Sequence, residues 1–354
     1  MRVLGTCANE KKAVILQRKI IGALYNTKNN IIMRKFFLFI AALYCAVMVN
    51  ATEGALPGLF SVSATTRVQF SQGNLQYQAS TNTWRFAEHQ YDMIGLDNAY
   101  VSPTYSGWID LFGWGTGSNP TLLSGDSWDY YTFTDWGTNA ISNGGNQADQ
   151  WHTLTQDEWI YLVRDRLYAR QLIGLATVNS ITGIILLPDN WVTPSGLVFN
   201  DFATKEFFWE AYQEYSDDTE EFHYGDNVYT SDDWLKMEAA GAVFLPAAGD
   251  RIDQWSPDMN IYSSGRYWSS TPWSAAAPGV AYYFSFNAKR AGVNATEGHE
   301  GYAVRLVQPY EDPQGITSPS LQGRSGEATK TIRNGQLLIE RNGKTYNASG
   351  TEVR

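Results

Sequence analysis

The chain has 354 residues with 26 Lys and Arg against 36 Asp and Glu, a formal charge of −10, and it carries 13 Trp, 21 Tyr and 16 Phe. A surface this acidic repels nucleic-acid phosphates and anionic membranes, so nucleic acid is not an expected partner. The aromatic content is enough to build a sizeable core without cross-links.

Residues 33–51 read as a secretory signal. Arg34 and Lys35 form a positive start, and Phe36 to Val49 is an apolar run too short for a comfortable bilayer span. Val49-Asn50-Ala51 places small residues at the cleavage-defining positions, so the mature chain is expected to start at Thr52 and to hold no membrane span. Residues 1–32 then read as a gene-model extension, with Met33 as the real start. Lipidation at Cys45 is disfavoured by the bulky Tyr44 before it. The segment up to Ala51 holds eight of the basic residues and one of the acidic ones, leaving −17 on the mature chain. It also holds both cysteines, Cys7 and Cys45. The mature protein is thus expected to have no disulfide, thiolate nucleophile or cysteine–metal site, and to be secreted or held at the outer cell surface.

Strands are expected at Phe60-Ser-Val-Ser, Arg67-Val-Gln-Phe-Ser and Leu75-Gln-Tyr-Gln, with a Gly73-Asn74 turn and continued alternation at Trp84-Arg-Phe. Residues 95–150 are rich in Gly, Asn, Ser and Asp. They read as long ordered loops, because Trp108, Trp114, Trp128 and Trp136 call for burial. Thr155-Gln-Asp-Glu158 is a capping box, and Trp159, Leu162, Val163 and Leu167 recur on one helical face. A short buried strand follows from Thr182 to Leu187, ended by Pro188. Helices are expected over 203–215 and 231–240, the second stopped by Gly241. Further strands fall near 266–270, 281–287 and 302–308. Residues 311–330 read as a Pro/Ser/Gly-rich linker. Within residues 331–354, the run from Gly335 to Asn347 reads as a β-hairpin turning at Asn342-Gly343, a candidate sorting or anchoring tail in contact with export machinery.

Several motifs in this order resemble one family. They are Trp151-His-Thr-Leu-Thr-Gln-Asp-Glu-Trp159, Ile185-Leu-Leu-Pro-Asp-Asn-Trp191, Leu245-Pro-Ala-Ala-Gly249, Tyr267-Trp-Ser-Ser-Thr271 and Val304-Arg-Leu-Val307. The first is similar to the helix opening of formylglycine-generating-enzyme-like domains, with Leu154-Thr in place of the family's Leu-Pro. The others are similar to the Fibrobacter-type major paralogous domain. The Gly335–Val353 tail resembles C-terminal segments of exported Bacteroidetes proteins. The resemblance implies an α+β, C-type-lectin-like domain over residues 52–310, with a mixed twisted sheet, two main helices and long irregular loops. Formylglycine-generating enzymes depend on a cysteine pair that holds copper. That pair is absent here, so their oxidase activity does not carry over.

The remaining chemistry is sparse. His89, His152, His223 and His299 show no short metal spacing, and the acidic run Asp217–Glu221 reads as a solvated loop. No Gly-x-Ser-x-Gly, P-loop or dinucleotide fingerprint stands out. No cofactor is expected. Calcium has only weak candidates in Asn146 with Asp149, and in Asp250 with Asp253, which a polar turn explains as well. The stretch from Trp273 to His299 reads as an exposed loop between two strand motifs. Trp273, Tyr283, Asn287, Arg290, Asn294 and His299 are its candidate ligand-binding residues, with Arg290 as anchor because its fork suits carboxylates and sugar hydroxyls. Trp268 reads as core. The expected function is non-enzymatic recognition of a glycan or protein at the cell surface. A hydrolase with carboxylates dispersed in sequence and a structural component of a surface assembly are the alternatives.

Overall fold

A computed structural model describes residues 53–203, 223–252 and 256–311, together with strand backbone within 329–353. The signal segment, the acidic run 217–221, Asp253 and nearly all of the helix expected over 203–215 lie outside the described residues. The chain divides into two compact units, one ending at Tyr310 and the other beginning at Glu311. The first unit mixes α and β structure.

Its strands are β1 (Phe60–Ser61), β2 (Arg67–Phe70), β3 (Leu75–Gln78), β4 (Thr83–Phe86), β5 (His152–Thr153), β6 (Ile173–Val178), β7 (Ile181–Leu186), β8 (Val228–Tyr229), β9 (Val243–Pro246), β10 (Asp250–Ile252), β11 (Ser256–Met259), β12 (Ser264–Ser274), β13 (Ala277–Asn287), β14 (Ala291–Glu297) and β15 (Leu306–Pro309). They form small sheets ordered β1-β2-β15-β5, β3-β4, β8-β6-β7-β9, β10-β11 and β12-β13-β14. Among the described strands, only β6 and β8 pair in parallel. The Gly73-Asn74 turn does not join a hairpin: β2 pairs with β1 and β15, whereas β3 pairs with β4.

Helix α1 (Gln156–Ile160) opens on the capping box, where the Thr155 side chain accepts from the Glu158 amide and Glu158 reaches back to the Thr155 amide. Trp159, Leu162 and Val163 are buried, but Leu167 is 76% exposed. The reason is local: the helix widens into a π turn over Tyr161–Asp165 and stops, with Arg166 in an extended conformation. Helix α2 (Ser231–Ala239) is capped by the Thr230 hydroxyl, which accepts from the Asp233 amide. It ends at Gly241, whose φ of 101° closes the last turn. Gly241 also lies against Gly58. A Cβ on Gly58 would sit 2.2 Å from the Gly241 carbonyl oxygen, and one on Gly241 would sit 2.7 Å from the Gly58 Cα.

The core falls into three buried groups. Trp159 stacks on Phe284 (4.9 Å between ring centres, 13°) in one, and Trp114, Trp136 and Trp268 lie in the second. Trp234, Phe244 and Tyr229 build the third, between α2 and the β8-β6-β7-β9 sheet. Trp268 is a core residue, and its Nε1 donates to the Phe112 carbonyl at 2.7 Å. Among the four loop tryptophans, Trp114 and Trp136 are buried and Trp108 is half-buried. Trp128 is 63% exposed, contrary to the expectation of burial; its 3-10 turn is held instead by Asp126, which caps it. The arginine of the closing motif, Arg305, is fully buried. It donates to Gln90 Oε1 (2.8 Å) and Asn74 Oδ1 (3.3 Å), and burial lowers its pKa to about 10.

The second unit holds β16 (Thr329–Arg333), β17 (Gln336–Arg341), β18 (Lys344–Asn347) and β19 (Glu352–Val353) in one antiparallel sheet in that order. β17 and β18 pair as far as Arg341↔Lys344, and the turn expected at Asn342-Gly343 lies outside the described residues. The tail is therefore a four-stranded meander rather than a hairpin. A lone hairpin is marginal in water, and two further strands supply the pairing it lacks.

Candidate functional site

The stretch read as an exposed loop is mostly sheet. β12, β13 and β14 run as an antiparallel meander through residues 264–297. Strand β14, Ala-Gly-Val-Asn-Ala-Thr-Glu, is too small and polar to announce itself by alternation; its ladder to β13 forms it.

Register decides which side chains meet. Ser264 lies opposite Asn287, Arg266 opposite Ser285, and Trp268 opposite Tyr283. On the other side of β13, Tyr283 faces Asn294 and Ser285 faces Gly292. Directly opposed residues share a face. Ser264, Arg266, Tyr283, Ser285, Asn287 and Asn294 therefore line one face, while Tyr267, Phe284 and Phe286 turn into the core on the other. An opening of about 290 Å3 results, lined in part by Asn260, Ser264, Arg266, Tyr283, Ser285, Asn287 and the β13–β14 turn with Lys289 and Arg290.

Its floor is aromatic. Tyr283 packs on Tyr302 (4.8 Å between ring centres), which stacks on Trp268 at 4.5 Å. Burial raises the pKa of the Tyr283 hydroxyl, keeping it a neutral donor. One wall is ionic. Arg266 is paired with the fully buried Asp250, which also accepts from Asn260 Nδ2 at 3.1 Å, and the Arg266 guanidinium lies over the Tyr302 ring. Burial raises the Asp250 pKa and Arg266 opposes it. Glu300 lies within the field of the same groups. Burial first and then the charge of Asp250 push its carboxyl from 4.5 up to about 7, against the pull of Arg266 and Arg251, and its Oε2 has no hydrogen-bond partner. The Ser264 hydroxyl is also buried without a partner among the described residues.

Of the expected ligand residues, Tyr283, Asn287 and Arg290 line this opening, and Asn294 adjoins it through a hydrogen bond from its Nδ2 to Ser285 Oγ (2.8 Å). Part of Asn287 is committed to the turn, since its Oδ1 accepts from the Lys289 and Arg290 amides at 2.8 and 3.0 Å. Trp273 and His299 belong to the other end of the meander. Trp273, half exposed, sits between Pro272 and Ser274 by the β12–β13 turn, about 30 Å along the strand from Ser264. His299 is largely buried beside Glu297 (3.3 Å) and follows Gly298, whose amide donates to Gly279. The six residues do not form one surface. Arg266, Ser264, Ser285 and Asn260 were missed. The signal was available in the period-two alternation of Ser264–Trp268 and Ala281–Phe286, which puts an arginine and two serines on the same side as Tyr283.

The calcium candidates are dispersed. Asn146 and Asp149 are exposed turn residues with φ of 52° and 61°, and the Asp250 carboxylate is committed to Arg266 and Asn260. Among the described residues, no three His, Asp or Glu side chains are grouped to hold a metal. No described helix is long and apolar enough to cross a membrane. Compared with known proteins, the sequence matches no family model, no curated protein and no solved structure.

Proposed function

We propose that the chain is an exported, non-enzymatic binding module with a C-type-lectin-like first unit, recognising a glycan or protein at the cell surface. The observation that carries this reading is the polar face of the β12-β13-β14 meander. It sets Arg266, Tyr283, Ser285 and Asn287 around an aromatic floor, with Lys289 and Arg290 at the rim of a strongly acidic chain. Such a face offers donors to carboxylates and hydroxyls and a ring edge to a sugar or side chain. The preferred ligand is therefore a glycan or acidic protein segment bearing carboxylates. The second unit serves, on this reading, as the contact with export or anchoring machinery.

Glycan and protein arrays probed with the purified chain test the proposal. For any ligand found, Arg290→Ala and Tyr283→Ala should each weaken binding about tenfold, the loss expected when a hydrogen bond involving a charged group or an aromatic contact is removed. Lys236→Ala on α2 should bind normally. Equal binding by all three variants, each shown folded, would place recognition elsewhere.

A further inference from the structure

A second opening, of about 590 Å3, lies between the β3–β4 hairpin, the loop 88–96, the β6–β7 turn at Asn179 and the turn at Ile261–Tyr262. It shares no lining residue with the meander recess, and the argument for it does not rest on the function proposed above. Its volume falls in the range of small-ligand sites.

Three polar groups on its wall are prepared but unspent. The first is Gln76, only 2% exposed. Its Oε1 accepts from Arg85 Nε at 2.8 Å, and its amide nitrogen has no hydrogen-bond partner among the described residues. Gln76 lines the opening, so this amide can donate to whatever enters it. The second is Arg85. Its guanidinium lies over the Trp108 ring, 3.7 Å from the ring centre, and Nε is its bonded nitrogen. Stacking and the Nε bond fix the plane of the fork and leave its two terminal nitrogens to a guest, an arrangement suited to a carboxylate. The third is Glu88, exposed and without a hydrogen bond or close ion pair among the described residues, its charge acting on Arg85 across the same wall. Asp92, by contrast, is committed to the amide and ring of His89 at 2.9 and 3.1 Å. Met93, Ile94, Ile181 and Ile261 supply the apolar remainder of the wall.

These groups select among ligand classes. A plain anion would satisfy Arg85 and Gln76 but compete for Arg85 with the charges of Glu88 and Asp92. A plain cation would leave the Arg85 fork and the Gln76 amide unmet. A wholly hydrophilic guest would waste the aliphatic wall. We propose that this opening binds a zwitterion with an apolar body, of the class of α-amino acids and short apolar peptides, with its carboxylate at Arg85 and Gln76 and its ammonium at Glu88.

Titration calorimetry of the full chain with L-leucine and dileucine tests this, with N-acetyl-leucine and leucinamide as the singly blocked forms. The zwitterions should bind, and each blocked form should bind at least tenfold more weakly. Glu88→Gln, at an exposed and unbonded position, should fold normally and abolish the preference for leucine over N-acetyl-leucine. Arg85→Lys should weaken the zwitterions and N-acetyl-leucine together. Whether leucine or dileucine binds more tightly separates a free amino acid from a peptide. No heat from either zwitterion at millimolar concentration, equal binding of the blocked forms, or an unchanged preference in Glu88→Gln would overturn the proposal. Loss of binding in Arg290→Ala, which lies in the other recess, would overturn it too.

Discussion

Single residues carry two measurable commitments. Trp159 is fully buried, stacked on Phe284 and 6.4 Å from the Phe70 ring, while its indole N–H has no partner. Its value lies in volume, not polarity. Trp159→Ala should therefore lower stability by about 3–5 kcal/mol in urea unfolding. Trp159→Phe, which loses no hydrogen bond, should fall well short of that. Glu300 reports through pH. Its folded pKa of about 7 lies above its ordinary 4.5, so the folded state holds the proton more tightly than the unfolded one. Stability contributed at this position is present at low pH and declines as pH rises from about 4.5 to 7. Glu300→Gln, which cannot ionise, should match the parent melting temperature at pH 4 and exceed it at pH 8. A difference independent of pH would show that Glu300 does not carry this shift.

At the scale of elements, the capping box is worth testing because it holds the Thr155 and Glu158 amides at the start of α1, where the Gln156 amide donates to Thr271 Oγ1 at 3.0 Å. Thr155→Ala removes the acceptor for the Glu158 amide (3.2 Å) and should cost about 1 kcal/mol. The β6–β7 turn offers the reverse. The pairing Val178↔Ile181 encloses Asn179 and Ser180, both with positive φ (48° and 70°), the geometry of a type I′ hairpin turn. Glycine suits the second position better than serine, so Ser180→Gly should raise stability by about 0.5–1 kcal/mol in the same assay. The helix start was legible because a capping box is a short code read within a few residues. The end of α1 was not: periodicity ran on to Leu167, while the chain left the helix after the π turn at Asp165. The meander was legible only in part, through the strands expected near 266–270 and 281–287. Its outer strand, Ala291–Glu297, is small and polar and has no hydrophobic alternation to show, so it imitates a loop. The site residues within it were half legible. Tyr283, Asn287 and Arg290 follow from their chemistry, but only register brings Arg266 and Ser264 to them and takes Trp273 and His299 away.

For the whole molecule, charge is the dominant sequence-level property. A formal charge of −10 over the chain, or −17 from Thr52 onward, sets surface carboxylates against each other, and this repulsion weakens the compact state. Moving from low salt to about 0.5 M sodium chloride shortens the screening distance severalfold and should raise the melting temperature. A melting temperature that falls with salt would mean that attractive ion pairs outweigh the acidic excess. Composition foretold a large aromatic core, and the family resemblance implied the mixed α and β structure. The partition into several small sheets was not foretold, because short strands of two to four residues depend on which distant partner completes them, as β15 does for both β2 and β5.

Gly58 and Gly241 occupy each other's side-chain space. Neither can shrink to accommodate growth in the other, since both are already the smallest residue. Ordinary size-swap compensation is therefore closed to this pair, and drift at one position finds no permissive background at the other. In a saturation library both positions should return glycine alone, even when the two are randomised together.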